Sequence, residues 1–414
     1  MRAASYLLVA VAACGGGPAT PPQSPDTPVR ADTPVHTDTP LGVDPPVLDA
    51  GAAPTVDEPA PIDAGAAPPT ARVAVLSLPL TPQKVSWPKN RRPAQLHLLG
   101  GNASSSWAAA VSADGSTPVG FATGPRGEPQ AVRWRDGMLT PLGTNGSIAG
   151  QPTWALATSR NGDVVAGSAI RARGITTPLS WNAGGDATVL ATPDGLDQAS
   201  ALAVSRDGSI ITGCAGWCAV LVTWSGGTWE AKPGPAPGSR QFAPGTNATS
   251  EDAAIVAGTV GTHTDDPEGL RLAGATVERL GAGTRVDGIS DDGAVLVGSA
   301  GGRAALWRGT KVTDLGVLEG YDTCHATAVS ADGGRVVGTC HRSDVTQRRT
   351  VAFIWDKKRG LRTVRDALAK EHEVRLPDEL WIDQASDICG YGLTVVGGAH
   401  AKKGQEAFMA IVPR

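Results

Sequence analysis

The 414-residue sequence has no excess of positive charge and no long apolar run. Its 36 Lys and Arg residues are outnumbered by 40 Asp and Glu residues, which gives a formal net charge of -4 at pH 7. A protein without a broad basic field does not attract a phosphate backbone, so we expect no nucleic-acid partner. The apolar run near the N-terminus, residues 6–11, is far shorter than the roughly 20 residues of a membrane-spanning helix.

The sequence also lacks the short motifs that mark common catalytic sites. It has no Gly-x-Ser-x-Gly nucleophile elbow, no His-Glu-x-x-His motif and no glycine-rich phosphate loop. We therefore predict that the protein is not an enzyme and that it uses no cofactor.

A repeat occupies most of the chain. At intervals of roughly 40 to 60 residues, a period typical of propeller blades, a short apolar run ends in a glycine. In most units an Asp-Gly or Asn-Gly dipeptide, such as Asp332-Gly333, precedes that run and supplies the positive φ angles of a hairpin turn. Short β-branched runs without a helical period predict four strands per unit. The period glycines are Gly120, Gly167, Gly213, Gly258, Gly298, Gly338 and Gly397.

This repeat predicts an all-β fold, a seven-bladed β-propeller of four-stranded blades over residues 95–414. The last unit ends one strand short, and residues 95–100 have the fourth-strand pattern. We therefore expect the N-terminal strand to complete the last blade and close the ring, which leaves no free strand edge at the seam. A Trp recurs in the third strand, where we expect it to fill the space between blades: Trp134, Trp181, Trp224, Trp307 and Trp355.

Two regions depart from the repeat. The fourth unit has Ser250-Glu251-Asp252 where Ser-x-Asp-Gly is expected and has no Trp, and the sequence leaves open whether this unit has decayed or is specialised. Before the seventh unit, residues 361–372 have apolar residues at helical spacing. They predict a helical insertion at about 360–382, which either braces one face of the disc or docks a partner.

The unit pattern resembles the HAF family of extracellular repeats, in which A-x-A-V-S-x-D-G-x-x-V-V-G, A-F-x-W and D-L-G recur. The match is best over residues 325–355, through Ala326, Ser330, Asp332, Gly338 and Trp355. It extends from about residue 95 to the end of the chain. The resemblance implies a secreted or surface repeat protein, but its motifs are structural and indicate no substrate.

The N-terminus has the pattern of an export signal. Residues 1–13 hold one basic residue, a short apolar run and small residues, and Cys14 follows. This arrangement resembles a bacterial lipobox, which implies a lipoprotein signal peptide at 1–13 and acylation of Cys14, as by palmitate. An ordinary export signal with an incidental cysteine is the alternative. Because Gly15 is not Asp, we expect anchoring to the outer membrane, on its periplasmic or cell-surface face.

Residues 14–72 are rich in Pro, Ala, Asp and Thr and contain short imperfect repeats. Such a composition cannot bury enough apolar surface to fold, and its prolines favour extended conformations. We interpret 14–72 as a disordered tether and 73–94 as an N-terminal extension that precedes the propeller.

The cysteines suggest an oxidising compartment. Cys214 and Cys218 flank a short loop between two predicted strands, and Cys324 and Cys340 flank a predicted hairpin, so both pairs are interpreted as disulfides. Free thiols are one alternative for the second pair. The other is a Cys2His2 metal site with His325 and His341, which strand alternation disfavours. The remaining cysteine is Cys389, which takes the Ser position of its unit and is predicted to be a buried free thiol.

We therefore expect a non-catalytic binding or scaffolding module of the cell envelope, monomeric and lipid-anchored, with a protein or polysaccharide partner. One alternative is an enzyme that acts on a glycan or peptide at the channel mouth. It would need carboxylates or histidines from different blades to converge, such as Asp287, Asp291 and Asp322. The other alternative is an accessory lipoprotein of outer-membrane assembly, an analogy of architecture alone.

Overall fold

The structure, a computed structural model, describes residues 83–84, 94–100, 103–123, 127–144, 146–171, 174–216, 218–233, 248–261, 267–343, 350–402 and 404–414. More than half of them belong to the antiparallel sheets of a seven-bladed propeller, and most of the others connect its strands. The predicted signal peptide 1–13, the lipidation residue Cys14, the tether 14–72 and most of the extension 73–94 lie outside the described residues. Those interpretations stay predictions.

Each blade is one sheet, and in blades one to six the four repeat strands follow in chain order from the channel outward. Blade one consists of β3 (Ser105–Val111), β4 (Pro118–Thr123), β5 (Pro129–Arg135) and β6 (Met138–Pro141). Blade two consists of β7 (Thr153–Thr158), β8 (Val165–Ile170), β9 (Thr176–Trp181) and β10 (Ala187–Val189). Blade three consists of β11 (Ser200–Val204), β12 (Ile210–Ala215), β13 (Val220–Ser225) and β14 (Thr228–Pro233). Blade four consists of β15 (Ala248–Thr249), β16 (Ile255–Val260), β17 (Glu268–Ala273) and β18 (Thr276–Ala282).

The remaining blades follow the same order. Blade five consists of β19 (Thr284–Ile289), β20 (Val295–Ala300), β21 (Arg303–Arg308) and β22 (Lys311–Gly316). Blade six consists of β23 (Thr323–Val329), β24 (Arg335–His341), β25 (Thr350–Asp356) and β26 (Gly360–Thr363). Blade seven consists of β27 (Trp381–Ile388), β28 (Thr394–Ala401), β29 (Gly404–Ile411) and the N-terminal strand β2 (Gln95–Leu98).

The N-terminal strand closes the ring, as predicted. β2 pairs antiparallel with β29, so that Gln95 lies opposite Ile411 and Leu98 opposite Phe408. A shorter strand, β1 (Gln83–Lys84), pairs with β6 and adds a fifth strand to blade one. The sequence did not indicate this addition. The chain before the propeller therefore contributes strands to both blades that meet at the seam.

The period glycines are explained by a bulge in the first strand of the blades. In blade two the register shifts between Ala155 and Ala157, which leaves Leu156 as the extra residue. A Cβ on Gly167, in the neighbouring strand, would lie 2.0 Å from the carbonyl oxygen of Trp154. The equivalent glycines of five other blades are equally crowded by a backbone carbonyl: Gly120, Gly213, Gly298, Gly338 and Gly397. Only glycine allows the second strand to approach the bulge this closely.

A Ser-x-Asp turn joins the first two strands of most blades. In blade six the Ser330 hydroxyl donates to Asp332 Oδ1 at 2.6 Å and accepts from the backbone N–H of Arg335 at 3.0 Å. Blade four makes the same turn despite its divergent sequence, because Ala253 takes the glycine position at φ 57°. In blade seven the buried Cys389 thiol replaces the hydroxyl and accepts from the N–H of Thr394 at 3.2 Å.

The core lies between neighbouring blades, and the recurrent Trp contributes to it as predicted. Trp134, Trp181 and Trp307 are fully buried. The Trp134 indole donates to the Leu99 carbonyl at 2.8 Å, and the Trp181 indole donates to the Gly143 carbonyl at 2.8 Å. Each of these two bonds joins the third strand of one blade to the chain that follows the fourth strand of the preceding blade.

The insertion before blade seven contains one helix, α1 (Val364–His372), which Thr363 caps by accepting the N–H of Asp366. Residues 361–363, which the helical spacing places in the helix, instead belong to β26, the fourth strand of blade six. Val364, Ala367 and Leu368 are buried in the cluster shared by blades six and seven, so the apolar face of α1 braces the propeller. Among the described residues no helix is long and apolar enough to cross a membrane.

Candidate functional site

The central channel is the candidate functional site. The first strands of the seven blades, β3, β7, β11, β15, β19, β23 and β27, surround a cavity of about 460 Å³. This volume lies within the range of about 300 to 1,000 Å³ that is usual for ligand pockets.

Backbone hydrogen bonds join the turns between the first and second strands of neighbouring blades around most of the channel. The residues that follow the Ser of each turn, or their neighbours, bond from one blade to the next. Six of these bonds are 2.8 to 3.3 Å long: Asp114 N to Arg160 O, Arg160 N to Arg206 O, Arg206 N to Glu251 O, Glu251 N to Asp291 O, Ala331 N to Gly390 O, and Gly390 N to Ala113 O.

The channel has two chemically different walls. The channel-lining residues of blades one to three form the apolar wall, which includes Trp107, Ala109, Leu156, Leu202 and Val204. The channel-lining residues of blades five to seven form the polar wall, which includes Arg285, Asp287, His325, Thr327, Gln384 and Asp387. Blade four, which contributes Ala248 and Thr249, lies between them.

The repeat aligns the two walls position by position. The bulge residue of the first strand is Ala109, Leu156 and Leu202 in blades one to three, and Asp287 in blade five. One residue further along, blade seven has Asp387. The corresponding residues of the other blades are small: Ala110, Ala157, Ala203, Ala248, Gly288 and Ala328. The two carboxyl groups are therefore departures from the repeat and not part of its consensus.

Asp387 lies at the seam between blades seven and one. Its Oδ2 accepts the N–H of Val111 at 2.9 Å, and its Oδ1 accepts the N–H of Ile388 at 2.7 Å. Loss of hydration on burial raises the pKa of Asp387 to about 7. The two hydrogen bonds lower the pKa and the negative charge of Asp291 raises it, but both effects are smaller than that of burial. Asp387 is thus a carboxyl group that can exchange a proton near neutral pH.

Asp287 and Arg285 form a pair on blade five. Arg285 Nη2 donates to Asp287 Oδ1 at 3.4 Å, while Asp287 Oδ2 is buried without a hydrogen-bond partner in the described part of the chain. Burial raises the pKa of Asp287, and the positive charge of Arg285 counteracts this rise only in part.

His325 adds an imidazole to the polar wall. Its ring stacks on the ring of His341, with the centroids 4.9 Å apart. Burial lowers the pKa of His325 to about 3, with smaller contributions from His341 and Arg285. Both imidazoles are therefore neutral at neutral pH, since burial also lowers the pKa of His341. Next to them, the Thr327 hydroxyl donates to the Ala385 carbonyl at 2.7 Å.

The carboxylates named from the sequence do not converge. Asp287 lines the channel. Asp291 lies in the Ser-x-Asp turn of blade five, where Arg206 bridges it to Glu251. Asp322 is exposed and accepts from the hydroxyl and the N–H of Ser343, both at 2.5 Å. Sequence reasoning missed Asp387, Arg285 and Gln384, although a residue-by-residue comparison of the seven first strands would have singled out Asp387.

The two cysteine pairs are joined as predicted. Cys214 pairs with Cys218 across the loop between β12 and β13, and Cys324 pairs with Cys340 across the β23–β24 hairpin. Cys324 lies directly opposite Cys340, so the adjacent His325 and His341 point to the other face of the sheet. A Cys2His2 site is therefore not formed. Disulfides are consistent with an exported protein.

In the described part of the chain, no group of three or more His, Cys, Asp or Glu side chains is placed to hold one metal ion.

No protein-family model matches this sequence, and no curated protein matches it. Among solved structures, the fold is similar to that of an oligogalacturonate lyase from Vibrio parahaemolyticus, with a TM-score of 0.50 and 12% sequence identity, over 81% of this chain and 98% of the lyase. An oligogalacturonate lyase in complex with manganese gives a TM-score of 0.49 and 14% identity, over 81% and 97% of the two chains. TolB from Acinetobacter baumannii gives 0.38 and 14%, over 68% and 76%.

At 12% identity the first match shows the fold alone. It still corrects one prediction. The chain was predicted not to be an enzyme because catalytic motifs are absent, but a chain that shares this fold over nearly its whole length is a lyase. The prediction is wrong because motif scanning detects residues that are close in sequence, whereas a propeller channel is built from blades about 40 to 50 residues apart.

Proposed function

We propose that this chain is an exported propeller of the cell envelope that binds a ligand, the end of a polysaccharide or a protein segment, in its central channel. The observation that carries the proposal is the confinement of charged side chains to the polar wall. Arg285, Asp287 and Asp387 take positions that blades one to three fill mostly with apolar residues. A pocket with an apolar side and a few convergent polar groups is the usual form of a ligand site.

A substitution that fills the channel tests this proposal. Ala109, the bulge residue of blade one, lines the channel on its apolar wall, so Ala109→Trp should block the channel. The matched control is Thr313→Trp on the exposed outer strand of blade five. Purified wild type and both variants are tested against a panel of bacterial oligosaccharides and peptides. Binding that Ala109→Trp abolishes and Thr313→Trp leaves intact supports the proposal, whereas equal binding by all three proteins contradicts it.

The proposed attachment to the envelope has its own test. We propose that Cys14 carries the lipid and that the tether 14–72 holds the propeller away from the outer membrane. In a bacterial host, labelled palmitate should be incorporated into the wild type and not into Cys14→Ser. Incorporation into both proteins would contradict the assignment of Cys14.

A second candidate function is catalysis on a glycan or peptide in the same channel. It is favoured by Asp387, whose pKa of about 7 suits a group that gives or takes a proton at neutral pH. Oligogalacturonates belong in the first panel of substrates, since a chain with this fold is named as their lyase. Turnover that Asp387→Asn abolishes, with binding retained, would favour catalysis over binding alone.

A further inference from the structure

Arg285 is the one Lys or Arg among the described residues that line the channel. Arg285 lines the polar wall, and 29% of its side chain stays exposed. A guanidinium has five N–H donors, yet within the described ranges Arg285 makes one side-chain hydrogen bond, to Asp287 Oδ1 at 3.4 Å. A charge-assisted bond is usually shorter, about 2.7 to 2.9 Å. Most of the guanidinium is therefore available to a molecule in the channel.

Asp287 does not neutralise Arg285 fully. The carboxyl group keeps 11% of its side chain exposed, and its Oδ2 has no hydrogen-bond partner among the described residues. Desolvation favours its protonated form and outweighs the attraction of Arg285. The neighbouring imidazoles of His325 and His341 are neutral at neutral pH and add no negative charge. This part of the channel therefore favours an anion over a cation.

The surroundings indicate which kind of anion. One planar guanidinium matches the two oxygens of a carboxylate. Across the channel, Trp107, Leu156 and Leu202 offer an apolar surface. A ligand that contacts both walls needs a carboxylate on one side and an apolar body on the other.

We propose that Arg285 is the anion subsite of the channel and that it binds the carboxylate of a ligand whose apolar body contacts the opposite wall. This assignment rests on the proposed function and specifies the chemistry of its ligand. Arg285 donates from the N–H groups that Asp287 leaves unused. Asp287 holds the guanidinium on the channel side of blade five and limits its affinity for anions.

Three probes with five carbons each in an unbranched chain test the charge preference of the channel. Binding of pentanoate, 1-pentanol and pentylamine to the purified full chain is measured by ligand-observed NMR. We expect wild type to bind pentanoate at least 10-fold more tightly than either other probe. Equal binding of pentanol, or tighter binding of pentylamine, would overturn the assignment.

Variants then test whether Arg285 is the residue that causes the preference for pentanoate. Arg285→Gln should weaken pentanoate binding about 10-fold, and Arg285→Lys should weaken it less, since it keeps the charge and loses the planar fork. Asp287→Asn removes the competing carboxyl group and should tighten binding several-fold. Arg303→Gln is the matched control, because Arg303 belongs to the same blade and pairs with Asp314 on the outer strand. Equal pentanoate affinity in Arg285→Gln and wild type would place the carboxylate elsewhere.

The two proposals fail in different ways. If a neutral ligand binds wild type, is lost in Ala109→Trp and is retained in Arg285→Gln, the channel is a binding site but the carboxylate assignment is wrong. If Ala109→Trp changes the binding of no ligand, the channel itself is not the site. Circular dichroism of each variant separates loss of binding from loss of the fold.

Discussion

The two walls of the channel have the same backbone and different side chains. Blades two and five both have a bulged first strand and a glycine that faces the bulge. In the turn that follows, the Ser hydroxyl donates to Asn161 in blade two and to Asp292 in blade five. Their bulge residues differ, Leu156 in one blade and Asp287 in the other. The shared features fix where a side chain enters the channel, and the differing residues decide which chemistry is placed there. In a repeat protein, departures at otherwise constant positions are therefore the strongest indication of a site.

The largest effect on stability is expected for Asp387, the carboxyl group of the polar wall in blade seven. The pKa of Asp387 rises from 3.8 to about 7 in the folded protein. A raised pKa of an acid contributes stability that is fully present below the unfolded value and is lost as the pH rises through the folded value. We expect Asp387 to lower the free energy of unfolding by about 4 kcal/mol between pH 4 and pH 8.

Asp387→Asn should remove this dependence because an amide does not titrate, and its oxygen can still accept the N–H of Val111. Urea unfolding of wild type and variant at pH 4 and pH 8 measures the effect. The variant should be similar to wild type at pH 4 and more stable at pH 8. Parallel stability curves for the two proteins would show that Asp387 titrates normally.

The next effect concerns the crowded glycines, which test whether the two walls of the channel have the same backbone structure. A Cβ at Gly167 in blade two or at Gly298 in blade five would lie 2.0 or 1.9 Å from a backbone carbonyl oxygen. We expect Gly167→Ala and Gly298→Ala each to lower the free energy of unfolding by about 3 kcal/mol, the upper range for overpacking. Thermal unfolding of both variants measures this effect.

A control separates crowding from backbone conformation. Gly309 has a positive φ of 56° and no neighbour within 4 Å of an added Cβ, so Gly309→Ala should cost only about 1 kcal/mol. If Gly167→Ala and Gly298→Ala differ greatly in their effect on the free energy of unfolding, the two walls do not share the same backbone constraint.

The smallest effect concerns blade four, which lies between the two walls. Ala253 adopts φ 57° where other blades have glycine. A left-handed conformation costs a non-glycine residue about 1 to 2 kcal/mol, and the added freedom of glycine in the unfolded chain offsets part of the gain. Ala253→Gly should therefore stabilise the protein by about 0.5 kcal/mol in urea unfolding. Ala254→Gly, one residue later, should destabilise it, and the same sign for both variants would contradict the turn assignment.

The fold was predictable to a large extent because its signals are local and repeated. Asp-Gly turns, period glycines and the pattern of residues 95–100 predicted seven blades and their closure. The helix was predicted too long, since residues 361–363 fit both a helical spacing and an outer strand, and pairing with β25 decides between them. The cysteine pairs followed from hairpin geometry.

The number of blades and the closing strand could be predicted from sequence because each depends on a period that recurs along the chain. The cysteine pairs were indicated by neighbouring residues, but free thiols and a metal site stayed open for Cys324 and Cys340 until the register of the hairpin was known. Which residues line the channel, in contrast, depends on the tertiary structure. Asp287 and Asp387 lie one hundred residues apart in sequence and belong to different blades. The sequence grouped Asp287 with Asp291 and Asp322, but Asp322 is exposed in the folded chain. The channel forms only when the ring closes, because closure brings the first strands of all blades together.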